Sequence, residues 1–191
     1  MKKLDDIKQK LEQLQQMNEQ LIQEFMTFFQ EKASSHEIQA ISYFTYSLNI
    51  SHKRGNENFC LGSYHIFNIS NRVLTNPYIC IKLTPANLFE FSGKYFYKDS
   101  KQTMKFANSW ERLNEPTNKE EYWLKPQNIV QLEPFQTLSF SDFQIKWTPK
   151  ETYSGSILGF TYSDEWKDGV PSLNQINVSG TIEKEDYDER I

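Results

Sequence analysis

The chain has 191 residues and a net charge of −4, with a sequence pI of about 5.5, so it lacks the basic footprint that nucleic acid or an anionic membrane surface would require. Aromatic residues make up 15% of it, including 14 Phe and 10 Tyr, which favours strands and a packed core over disorder. The length suits one domain plus an appendage and is too short for two ordinary domains.

Residues 1–34 are rich in Glu, Gln, Lys and Leu and contain no Gly or Pro, which predicts a long helix. Written as heptads, the a positions are Leu4, Leu11, Asn18, Phe25 and Lys32, and the d positions are Ile7, Leu14, Leu21 and Phe28. Apart from Lys32 this is a coiled-coil seam whose one polar member, Asn18, would hydrogen-bond its own copy and favour a parallel dimer over a trimer. The flanking charges argue the other way. Antiparallel helices set Lys10 opposite Glu24 of the partner subunit and Lys3 opposite Glu31 of the partner subunit, whereas parallel ones set Lys3 against Lys8 of the partner subunit. Such exposed pairs are worth only about 0.3–0.5 kcal/mol each. Met17, Ile22 and Phe29 widen the apolar stripe, which also suits docking of the lower helix against the following domain.

From residue 41 the period becomes two. Phe44, Tyr46, Leu48 and Ile50 share one face of the first predicted strand. Further strands are predicted over 59–69, from Ile79 to Leu83, over 88–97, at Tyr122-Trp123-Leu124, around 129–133, over 138–147, over 157–162 and over 174–182. Trp123 and Trp147 are expected in the core. The step from Phe140 to Phe143 is three residues, which predicts a bulge, or a bend where a strand changes sheets. Residues 164–171 read as a hairpin-type turn.

Strands without helices between them predict a mainly β fold, an antiparallel sandwich over 38–182. The run Leu132-x-Pro134 … Leu138-x-Phe140 resembles the proline-turn entry to a strand in immunoglobulin-like modules, which implies an immunoglobulin-like sandwich. Residues 183–191 are mostly charged and are expected to be a disordered tail.

Cys60 and Cys80 lack metal-type spacing and read as buried thiols. Three N-x-S sequons, at Asn49, Asn68 and Asn177, have meaning only in a secreted protein. The N-terminus lacks an apolar signal region and no window approaches ~18 apolar residues, so the expected location is cytoplasmic, or a virion.

The sequence offers no catalytic constellation. His36, His52 and His65 are far apart, Ser154-Gly155-Ser156 is not the G-x-S-x-G elbow, and the 7 Gly residues form no phosphate loop. No metal ligand set and no cofactor are expected. Trp110, Arg112 and Trp166 fall in an irregular stretch and a turn, where Trp and Arg are enriched in binding hot spots; the competing reading is that each Trp plugs an end of the sandwich. The expectation is a non-catalytic binding or adaptor protein, oligomerised by its helix and meeting an unknown protein partner. The alternative is a phage or particle component with a helical stem and a β head that touches a surface glycan or a neighbouring structural protein.

Overall fold

A computed structural model describes residues 8–17, 19, 20, 23, 24, 27, 40–97 and 109–182. The described residues from 8 to 27 are all helical.

The remainder is mainly β. In chain order the strands are β1 (Ala40–Asn49), β2 (Asn58–Asn68), β3 (Leu74–Thr75), β4 (Tyr78–Thr84), β5 (Glu90–Ser92), β6 (Tyr95–Tyr97), β7 (Trp110–Arg112), β8 (Glu121–Pro126), β9 (Gln131–Leu132), β10 (Thr137–Trp147), β11 (Tyr153–Tyr162), β12 (Val170–Pro171) and β13 (Ile176–Gly180). One sheet has the order β1-β2-β10-β5. The second runs β12-β11-β4-β8-β7-β6, with β13 also on β11. All pairs are antiparallel except β6 with β7.

Alternation decides what fills the space between the sheets. From the first sheet come Phe44, Cys60, Tyr64, Ile66, Phe91, Phe140, Phe143, Ile145 and Trp147; from the second come Ile79, Ile81, Leu83, Trp110, Tyr122, Leu124, Ile157, Ile176 and Val178. The two layers are also joined by polar bonds. Tyr64 Oη donates to Ser42 Oγ at 2.8 Å and lies 2.9 Å from Thr161 Oγ1 on the opposite sheet. Gly159 permits this approach, because a Cβ there would lie 2.2 Å from the Tyr64 ring.

The three-residue step at Phe140 and Phe143 is a bulge: the β10–β2 register shifts between them, and Asp142 adopts φ 60°. β10 stays in one sheet on both sides of it, so the strand bulges and does not change layers. The 164–171 turn closes a hairpin in which Thr161 faces Val170.

Trp123 is not a core residue. Its neighbours Tyr122 and Leu124 take the inward positions of β8, so Trp123 faces outward, half-buried. There it joins Tyr162 at 5.0 Å and Tyr78 at 6.2 Å. Cys80 sits between Trp123 and Phe160 in register on the same outer face yet is buried. Cys60 faces the interior of the other sheet; both thiols are free.

β1 is covered unevenly. Ser42 and Phe44 are buried, but Tyr46, Leu48 and Ile50, on the same face, are 43%, 37% and 37% exposed. The expected shared face exists, and only its first half is closed over.

Candidate functional site

Of the predicted seam, Leu11 and Leu14 are described; they are 57% and 59% exposed, and Met17 beside them is 64% exposed. Leu4, Ile7, Asn18, Leu21, Phe25 and Phe28 lie outside the described residues, as does the tail 183–191.

Trp110 and Arg112 are not surface groups. Trp110 packs edge-on against Phe140 at 5.3 Å. β7 lies between β6 and β8 in the sheet, so a stretch that reads as loop is an interior strand whose alternate residues turn inward.

Arg112 is 4% exposed. Its guanidinium lies 4.2 Å from the Tyr122 ring centre, with Tyr97 and Tyr95 at 5.7 and 5.9 Å. It donates to Asn114 Oδ1 (3.1 Å), Tyr97 Oη (3.1 Å), the Glu115 carbonyl (3.2 Å) and the Asn118 carbonyl, with a longer contact to that of Glu121. The guanidinium's planar fork suits several acceptors at once, so Arg112 gathers the 113–121 loop onto β7. Neutral carbonyls, a side-chain amide, a phenol and aromatic faces surround the charge, and the 4% exposure of the residue keeps it from a surface partner.

Trp166 is half-buried against the core. Its turn is fixed from both sides. Ser163 Oγ accepts from the Glu165 and Trp166 amides at 3.2 Å. The Glu165 carboxylate accepts from the Thr75 amide at 3.1 Å and from its hydroxyl. Burial acts to raise the Glu165 pKa, and the Thr75 and Ser163 hydrogen bonds outweigh it, leaving the group below the ordinary carboxylate value. The three residues therefore do not form one surface: two are interior and one belongs to a braced turn.

A cleft of about 510 Å³ opens beside β10 where β5 stops short, with Trp110 and Ile129 on one wall and Thr137, Ser139 and Ser141 along the other. Lys94 Nζ and Asp142 Oδ2 meet across its rim at 2.6 Å.

His65 Nδ1 lies 2.8 Å from Ser139 Oγ, a spacing a serine nucleophile would share with its base. The third member is wrong for that chemistry. His65 Nε2 lies 2.8 Å from Thr45 Oγ1, a hydroxyl that cannot stabilise an imidazolium as a carboxylate would. Burial lowers the His65 pKa from the usual 6.5, which favours the neutral ring, in which one nitrogen donates and the other accepts. The Thr45–His65–Ser139 row is a ladder across three strands. Among the described residues no cluster of three His, Cys, Asp or Glu side chains could hold a metal ion, and no helix is long and apolar enough to cross a membrane.

No family model matches the chain, and no curated protein sequence does. Two solved structures align with it at low similarity. A cohesin module from a Clostridium perfringens family 33 glycoside hydrolase aligns over 75% of this chain and 98% of its own at 12% identity and a TM-score of 0.39. The C-terminal domain of the Streptococcus pyogenes antigen I/II-family protein AspA aligns over 75% of this chain and 47% of its own at 11% identity and a TM-score of 0.40. At these values the likeness carries no inference about function.

Proposed function

We propose that the chain is a non-catalytic binding protein that self-associates through its N-terminal helix and offers its β domain, an immunoglobulin-like sandwich in this reading, to a protein partner. The observation that carries it is the exposure of Leu11, Leu14 and Met17 at helical spacing. These are the apolar positions of one stripe, and an apolar stripe in water favours a second helix. Among the described residues the β domain buries a core of 23 residues of its own. The coiled coil extends over 1–34 in this reading, dimeric on account of Asn18. The setting is intracellular or a virion, with which the two free thiols are compatible.

Light scattering on the full chain tests it. The expected mass is twice the 22.7 kDa of one chain, falling to the monomer value when Leu11 and Leu14 are both changed to Asp. A wild-type monomer at micromolar concentration sinks the proposal.

A further inference from the structure

β1 is an edge strand with β2 on one side. On its other side the backbone is closed only in part. Leu173 N donates to the Ser42 carbonyl at 2.7 Å, and the Asn174 side chain bonds both the amide and the carbonyl of Phe44. Ser42 and Phe44 therefore turn their peptide groups away from β2. By the two-residue period of a strand, Tyr46 and Leu48 do the same, and Ile50 continues the row. No hydrogen bond reaches the outer groups of these three from any described residue.

The stretch of edge left open by the described residues is bounded by Asn174 at one end and by the turn at residues 53–55 at the other. Its side chains, Tyr46, Leu48 and Ile50, are the half-exposed apolar ones. β1 carries no charge, Pro or Gly in its ten residues, none of the devices that keep edges apart. The other sheet edges are shorter: β5 and β6 have three residues each, β12 has two and includes Pro171, and β13 has five and ends in Gly180.

We infer that a second copy of this chain pairs antiparallel with this edge. The open row is self-complementary about Leu48. A two-fold axis there sets Leu48 opposite Leu48 of the partner subunit and Tyr46 opposite Ile50 of the partner subunit, so each free peptide group meets one of opposite sense, as an isologous contact requires. Nothing along the row repels, and the basic tips at His52, Lys53 and Arg54 fall at opposite ends of the paired strands. The pairing deepens the self-association proposed above by giving it a second contact.

Amide hydrogen exchange on the full chain, read beside its mass, is the test. In the dimer the amides of Tyr46, Leu48 and Ile50 are expected to exchange at least about tenfold more slowly than after dilution to monomer. Leu48→Lys, which brings two like charges face to face, should remove that protection. A dimer in which these amides exchange as freely as in the monomer overturns the edge pairing and leaves the helix reading standing. A monomer overturns both. Amides that stay slow in the monomer show that the chain covers its own edge, which also overturns the pairing.

Discussion

The side chain of Asn174 takes the place of a neighbouring strand for Phe44. Its Oδ1 accepts from the Phe44 amide at 2.7 Å and its Nδ2 donates to the Phe44 carbonyl at 2.9 Å. One amide side chain thus copies the two bonds that a paired residue would make, and it fastens the segment before β13 to the edge of the facing sheet. Asn174→Ala removes both bonds and leaves water to replace them. The expected loss is about 1–3 kcal/mol, read as a lower urea midpoint with an unchanged slope. An unchanged midpoint would show that the latch carries no stability.

Arg112 is the second test. Its guanidinium spans two sides of a loop, reaching Asn114, Glu115 and Asn118 while lying on Tyr122. Lysine keeps the charge and loses the fork. Arg112→Lys is expected to cost about 2–3 kcal/mol, with hydrogen-exchange protection lost first across 113–121. Retention of full stability would mean that charge alone, and not bidentate geometry, holds the loop.

The ladder through His65 predicts a pH effect. Burial lowers its pKa in the folded state, so the unfolded chain binds the proton more readily. Stability is then fully present above about 6.5, the unfolded value, and is lost as pH falls through the lower folded value. The melting temperature should drop between pH 7 and pH 5. His65→Gln should flatten this part of the curve, and an identical slope in the variant would exclude His65 as its source.

The cysteines offer a direct chemical check. Burial pushes the Cys60 thiol up to about 11. Burial, with Glu121 adding to it, pushes Cys80 up to about 12. Because the thiolate is the reactive form, the native protein should fail to react with a thiol reagent at pH 8 over minutes, and the denatured protein should titrate two thiols. Fast labelling of either in the native state would place it at a surface.

A glycine prediction concerns the contact between layers. Gly159→Ala puts a methyl into space held by the rings of Tyr64 and Phe44. The rings are buried and cannot swing into solvent, so a loss of about 1–3 kcal/mol is expected, measured by thermal unfolding. A neutral result would show that the sheets can part slightly.

The sequence by itself determined the β character of the chain, because a period of two in apolar residues leaves one packable face whatever the neighbours are. The bulge was legible for the same reason: Phe140 and Phe143 break the count. The hairpin at 164–171 and the burial of both cysteines could also be read from residue type and spacing. The sequon at Asn68 shows where such reading stops. Its amide is buried and bonds Ser70, Arg72 and Leu132, so a local motif is consumed by the fold.

What only the tertiary structure decided is which faces are covered. Trp110 and Arg112 look like loop residues until a strand stands on each side of them, and the carbonyls that surround Arg112 come from a loop whose path no local pattern contains. Trp123 looks like core until Tyr122 and Leu124 claim the inward positions. Tyr46, Leu48 and Ile50 follow Phe44 in the pattern, yet the closing contacts from Leu173 and Asn174 stop at Phe44. Alternation sets the direction of a side chain, and it is the extent of the facing layer that sets whether water can reach it.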